Sequence, residues 1–247
     1  SKRAIRLHDA GIPFQVRILT GASSCQSVEG DMAAAKALKF RAPFSTNKDF
    51  STHTNLGEVD YEDMHLGHMA ERLRRGFYGE IEWAVVEVSG MEEGESECKA
   101  FLTSAGGIVS TIVRLAKKII IEHNQFDNPN SRLLHDTWEP HECWENREVM
   151  DIHSPYDRLG KDYVSIEPRK IVGVIESCIP EEARAFKEPD DDTMQIGLHV
   201  ADLLANDMKH GRIPSSFLPI QSGVGATGNA VLKALGTSPL IPRFNVY

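Results

Sequence analysis

Short apolar runs alternate with stretches of helical periodicity along the 247 residues. Phe14-Gln-Val-Arg-Ile-Leu-Thr20 is rich in β-branched residues and ends in Gly21-Ala-Ser-Ser24, the pattern of a strand closed by a tight turn. A helix is expected through Ala33-Ala-Ala-Lys-Ala-Leu38. Between Glu62 and Arg75 the apolar residues Met64, Met69 and Leu73 share one face, and Gly76 is a stop signal, so an amphipathic helix is predicted there. Ile81–Val88 reads as a strand, Gly106–Ala116 as a glycine turn with a helix, and Lys118–Glu122 and Lys170–Glu176 as buried strands. Strands alternating with helices predict an α/β fold with largely parallel sheets.

The segment Ile179–Asp192 concentrates charge and carries two prolines, as connections between domains do. We expect a first domain over residues 1–180, a linker over 181–192 and a second domain over 193–247. In the second, Thr193 can cap a long helix with the stripe Ile196, Val200, Leu203, Leu204 and Met208, ending at Gly211. An apolar strand at Phe217-Leu-Pro-Ile-Gln-Ser222, a glycine loop and a further helix follow. One strand and two helices are too little to bury their own faces. Ser1–His8 also reads as the middle of a surface helix, and Phe244-Asn-Val-Tyr247 as a strand entering a loop. The expectation is an internal fragment whose second domain is incomplete.

Charge narrows the choice of partners. A net charge of −9 argues against nonspecific nucleic-acid binding, which needs a basic face. No apolar run approaches the roughly 20 residues of a membrane helix, and the start lacks the apolar core of a signal peptide. Cys25, Cys98, Cys143 and Cys178 are widely separated and form no C-x-x-C pair, which fits reduced cytoplasmic thiols better than a zinc module or a disulfide framework.

The most informative segment is Gln221-Ser-Gly223-Val-Gly225-Ala-Thr-Gly228-Asn-Ala-Val-Leu. Gly223, Gly225 and Gly228 match the G-x-G-x-x-G fingerprint of dinucleotide-binding folds. That fingerprint requires an Asp or Glu about 20 residues further on for the ribose hydroxyls, and Lys209–Tyr247 contains no carboxylate. Arg243 as a grip on a 2′-phosphate is weaker than its reading as a solvated surface residue. Close backbone approach to an anionic group remains the message of the loop. A dinucleotide-binding oxidoreductase stays an alternative.

Other polar constellations have plain explanations. His135-Asp-Thr-Trp-Glu-Pro-His-Glu-Cys-Trp-Glu145 offers metal-ligand types without a ligand spacing and reads as an irregular surface loop; no metal site is expected. His65 and His68 read as hydrated helix residues. Cys25 has no identifiable histidine partner. Asp190-Asp-Asp192 fits a helix N-terminal dipole better than Mg²⁺.

Several segments together resemble the acetyl-CoA hydrolase/transferase family. They are Leu19-Thr-Gly-Ala-Ser23, Phe40-Arg-Ala-Pro43, Tyr61-Glu-Asp-Met-His-Leu66, Gly76-Phe-Tyr-Gly79, Leu134-His-Asp136, Pro168–Glu176, Leu218-Pro-Ile-Gln-Ser-Gly-Val-Gly225 and Asn229-Ala-Val-Leu232, in the family's order. The resemblance implies two CoA-transferase-type α/β domains with the active site between them. It also implies a glutamate that carries CoA as a glutamyl thioester between a short-chain acyl-CoA and a carboxylate. That glutamate is expected just beyond Tyr247. Within the chain, the resemblance implies that the backbone N–H of Val224 is an oxyanion donor and that Gln221, Gly223, Gly225 and Asn229 line the substrate site.

Thr20 and Gly21 after the first strand, and Ser104 in Thr103-Ser-Ala-Gly-Gly107, are expected in the same cleft; ordinary strand-to-helix turns are the equal alternative. Ala226, Thr227 and Gly228 depart from the family's usual Asn, small apolar residue and Ala, which leaves acyl specificity open. CoA would be a substrate, with no permanently bound cofactor, and the resemblance allows a homodimer. An acetyl-CoA hydrolase and a noncatalytic CoA-binding fragment are the remaining alternatives.

Overall fold

The computed structural model describes residues 2–23, 28–139, 149–154, 157–180, 188–214, 220–223 and 225–238. The chain forms two compact units, Ser1–Ala183 and Arg184–Tyr247.

The first unit begins with helix α1 (Lys2–Asp9) and the strand β1 (Val16–Leu19). Helix α2 (Glu29–Ala34), strand β2 (Leu38–Ala42), helix α3 (Lys48–Asn55) and the short strand β3 (Asp60–Tyr61) follow. β1, β2 and β3 form a parallel sheet in that order, so their carboxyl ends lie along one edge. Helix α4 (Leu66–Arg74) leads into β4 (Trp83–Glu93), β5 (Cys98–Leu102), helix α5 (Val109–Leu115) and β6 (Lys118–Asn124). Strands β7 (Val164–Ile166) and β8 (Ile171–Ser177) complete a five-stranded sheet of order β7-β5-β4-β6-β8.

The expectation of largely parallel sheets holds for the first sheet and for the β4-β6-β8 half of the second. β5 runs antiparallel to both β4 and β7. The reason is local: only the short acidic turn Gly94-Glu-Ser-Glu97 separates β4 from β5, too little chain for a parallel crossover, so the two strands pair as a hairpin.

Burial follows the strand period. Ala84, Val86 and Val88 of β4 point to one face and pack with Ile119, Ile121, Ala100, Leu102, Val164 and Ile166 beneath Val113 of α5. A second cluster joins Met32, Ala33, Ala35, Ala37, Leu38, Phe50 and Val59. Here the sequence expectation needs correction: the helix predicted through Ala33–Leu38 ends at Ala34, and Leu38 already begins β2. Ala33, Ala35 and Ala37 are all buried, so the apolar run continues across the helix end without marking it, and Lys36 turns the chain at φ 54°. A third cluster, with Ala42, Met69 and Leu73 at its centre and Leu19, Ile108 and Ile112 against it, joins the first sheet to α4 and α5.

In the second unit, helix α6 (Asp191–Lys209) packs on helix α7 (Ala226–Thr237). Ala201, Ala234 and Leu235 form its buried centre with Leu204, Met208 and Val231 against them. Asp190, not Thr193, is the cap of α6: its carboxylate accepts the Thr193 N–H at 2.9 Å, and Asp191 and Asp192 occupy the first turn, where the helix dipole favours anions. In the expected strand before the glycine loop, residues 217–219 lie outside the described residues, and residues 220–223 have no regular secondary structure.

One buried ion pair organises the carboxyl edge of the first sheet. Arg41, fully buried, donates from Nε to Glu29 Oε1 at 2.5 Å and from its two terminal nitrogens to the carbonyls of Ala42 and Phe44. Ser45 Oγ donates to the second Glu29 oxygen. Removing one partner of a buried pair strands the other charge, whereas removing both does not. Arg41→Met is therefore expected to lower unfolding stability by about 3–5 kcal/mol, and adding Glu29→Met should restore more than half of that loss in denaturant titrations. A double variant less stable than Arg41→Met alone would contradict this account of the pair.

Candidate functional site

In an open α/β sheet, ligands bind outside the carboxyl ends of the parallel strands. In the first unit two turns meet at that edge. The turn after β1 carries Thr20 and Gly21, with Thr20 N–H bonded to Ala42 O at 3.1 Å and Ser23 bridged to Ser45. The turn between β5 and α5 carries Thr103, Ser104, Gly106 and Gly107. A Cβ on Gly21 would lie 3.8 Å from the Gly107 α-carbon and 3.9 Å from Ile108 N, so the two turns are in contact. The turn carrying Thr20 and Gly21 and the turn carrying Ser104 are thus neighbours. Ser104 is exposed and Thr20 and Gly21 are half-buried.

Two hydroxyls near these turns, Thr46 Oγ1 and Thr103 Oγ1, are buried without a hydrogen-bond partner among the described residues. The carbonyls beside Thr103 are better served. Ser89 Oγ donates to Phe101 O and Leu102 O, both at 3.2 Å, and Ser131 Oγ reaches Leu102 O at 3.3 Å. His135 Nε2 meets Thr103 O at 2.6 Å. Sequence reasoning placed His135 in a surface loop and gave it no partner. Its position in Leu134-His-Asp136 was the one available signal.

The second unit holds the glycine loop. Gly225 precedes α7 with φ 143° and ψ 168°, a conformation in which L side chains are strained, and its carbonyl accepts the Asn229 N–H at 3.0 Å. Gly228 sits in the first turn of α7 directly under the loop: a Cβ there would lie 2.4 Å from Gly223 O and 3.0 Å from Ser222 Oγ. Around a Cβ on Gly223 or Gly225 there is nothing within 4 Å. Gln221 is exposed and bonds from Nε2 to Ser222 O at 2.6 Å, and Asn229 is half-buried in the first helical turn. The loop therefore presents open backbone above a tightly packed helix start. Val224 lies outside the described residues, as do Cys25, residues 140–148 and Arg243.

Among the described residues the other candidate groups do not build a site. His65 and His68 stack edge to face at 5.6 Å, and among the described residues no group of three His, Cys, Asp or Glu is placed to hold a metal ion. Burial, reinforced by Glu93 and Glu97, pushes the Cys98 thiol above its ordinary range, which disfavours the thiolate a nucleophile needs. Glu139 anchors α5: it accepts from Ser110 Oγ at 2.7 Å and Thr111 Oγ1 at 2.9 Å and lies 3.7 Å from Arg74 and 3.5 Å from Arg114. Among the described residues no helix is long and apolar enough to cross a membrane.

Residues 2–176 match the family described as the acetyl-CoA hydrolase/transferase N-terminal domain. Over all 247 residues the chain is 37% identical to the propanoyl-CoA:succinate CoA transferase of Escherichia coli K12, covering 49% of that protein. It is 28% identical over 236 residues to the acetyl-CoA hydrolase of Schizosaccharomyces pombe, covering 92% of this chain and 44% of the relative. The chain thus spans about half the length of the curated relatives it matches. The crystal structure of RipA from Yersinia pestis shares the fold at 15% identity with a TM-score of 0.58, over 94% of this chain and 46% of that one.

The glycine loop makes a sharp prediction about two neighbouring substitutions. Gly228→Ala forces a methyl into the Gly223 carbonyl and is expected to cost about 1–3 kcal/mol as the loop is displaced. Gly223→Ala, with open space around it, should stay within about 0.5 kcal/mol of the parent. Thermal unfolding of the two variants side by side checks this, and equal effects would show that the loop does not pack on α7 in this way.

Proposed function

The chain belongs to the acetyl-CoA hydrolase/transferase family, and from that premise we propose that the protein moves coenzyme A between a short-chain acyl-CoA and a free carboxylate. The nucleophile in this reading is a glutamate just beyond Tyr247. Its carboxylate attacks the thioester carbonyl, the CoA thiolate leaves, and an acyl-glutamyl anhydride forms. The thiolate then attacks the glutamyl carbonyl, releasing the donor carboxylate and leaving a glutamyl-CoA thioester. An acceptor carboxylate attacks that thioester and displaces the thiolate, which returns to the acceptor's acyl carbon and frees both acyl-CoA and glutamate. This is carboxylate nucleophilic catalysis in ping-pong order.

The observation that supports a role for this chain is the glycine loop seated on α7. Each attack develops negative charge on a carbonyl oxygen, and a backbone N–H held on a rigid turn before a helix stabilises that charge without reorganising. We assign that donor to Val224; losing such a donor costs about 3 kcal/mol of transition-state stabilisation. The packing of Gly228 beneath Gly223 O supports the rigidity, and the open space around Gly223 and Gly225 supports room for an acyl group. Gln221 and Asn229 flank this loop, and Thr20, Gly21 and Ser104 are assigned to substrate binding in this reading. CoA enters as a substrate, and no permanently bound cofactor is needed. Four dispersed cysteines fit a cytoplasmic setting.

Hydrolysis is the second reading. The S. pombe relative is named an acetyl-CoA hydrolase, and water attacking the same glutamyl thioester would give that outcome. What separates the two is exclusion of water from the loaded site.

Incubating the full-length protein with acyl-CoA should produce a CoA-sized adduct on one glutamate, visible by mass spectrometry and removed by hydroxylamine. Binding of NADH with no adduct would favour the dinucleotide reading of Gly223, Gly225 and Gly228 instead.

A further inference from the structure

We infer that His135 is the positioning residue of the Thr103–Gly107 turn, holding it by a hydrogen bond from the imidazole to the Thr103 carbonyl. Its consequence for acyl transfer rests on the reading above, but its effect on the turn does not.

The contact is 2.6 Å from Nε2 to Thr103 O. A carbonyl only accepts, so the proton belongs on Nε2, and the partner assigns the tautomer. The other ring nitrogen faces Gly106: a Cβ on that residue would lie 3.3 Å from Nδ1 and 3.4 Å from Cε1. Glycine at 106 therefore leaves the ring room against the turn it holds.

The far side of His135 is pinned independently. Its carbonyl accepts from Arg158 Nη1 at 2.6 Å, and Arg158 Nη2 donates to Leu133 O at 2.5 Å. The neighbouring Asp136 carboxylate accepts the N–H groups of Leu159 at 3.1 Å and Gly160 at 2.7 Å. The imidazole is thus a strut between an anchored segment and a turn that also carries short-range main-chain bonds, from Gly106 N to Ser104 O and from Val109 N to Gly106 O. That turn bears on Gly21, so a shift at Thr103 O moves both walls of the carboxyl-edge contact.

His135→Phe keeps the ring shape and removes the donor, while His135→Gln places an amide N–H near the position of Nε2. In the full-length protein, His135→Phe should raise amide exchange across residues 104–109 roughly tenfold. It should also slow formation of the CoA adduct roughly tenfold with little change in KM for acyl-CoA, the signature of an interaction made mainly in the transition state. His135→Gln should recover most of both. Unchanged exchange in His135→Phe, or adduct formation at the parent rate, overturns the inference.

Should His135→Phe not fold, Gly106→Ala pushes on the imidazole from the turn side and must accelerate the same exchange; an unchanged pattern again overturns it. If the unmodified protein forms no adduct, the transferase reading fails while the exchange result still decides the role of His135.

Discussion

The geometry of the first unit's carboxyl edge depends on a charge that water cannot reach. Arg41 lies beneath the end of β2, and once desolvated its guanidinium must find acceptors in fixed directions. Glu29 supplies one, and the carbonyls of Ala42 and Phe44 supply the others. The turn after β2 is thereby bent around the arginine, with Ser45 tied to the same carboxylate. Because Ser23 N–H bonds to Phe44 O at 3.0 Å and Thr46 N–H to Ser23 O at 3.1 Å, the turn after β1 takes its position from this arrangement. Gly21 then meets Gly107, and the two turns that could face a substrate are set side by side.

The loop of the second unit is built on a different principle, steric rather than electrostatic. Its three glycines are not equivalent. Gly225 supplies a backbone conformation, Gly228 supplies clearance for a carbonyl, and Gly223 is surrounded by open space. A dinucleotide fingerprint uses glycines for a tight turn, pyrophosphate approach and helix packing, and two of those three uses recur here. That overlap explains why the motif alone misleads. The missing downstream carboxylate and the order of the flanking segments distinguish the two families.

Elements with a strong period were legible in the sequence. β1, β4, β6 and β8 announce themselves through β-branched runs, α4 through Met69 and Leu73, and α6 through its long stripe. The expected burial of β8 is not found: it is the edge strand of its sheet, and Val172, Val174 and Ile175 are exposed. β5 was not, because Cys98-Lys-Ala-Phe-Leu102 is nearly all buried and shows no alternation, and its turn lacks the Asn-Gly or Asp-Gly hairpin signal. β7 is three residues long, too short for any period. Pairings across the chain were illegible in principle: nothing local links Arg41 to Glu29 twelve positions earlier, or His135 to Thr103 thirty-two positions earlier. Both Arg41 and His135 stood in segments flagged by family resemblance, which marked them without saying what they touch.

The central claim is that oxygen passes through an enzyme carboxylate during CoA transfer, and isotope tracing reads this directly. The full-length protein would turn over an acyl-CoA with an acceptor carboxylate labelled with ¹⁸O in ordinary water, and the released donor acid would be analysed over many turnovers. The glutamyl route predicts acceptor-derived ¹⁸O in the donor acid once the first turnover has loaded the glutamate, since each anhydride passes one oxygen on. A donor acid that never gains ¹⁸O while acceptor-CoA accumulates would contradict the account.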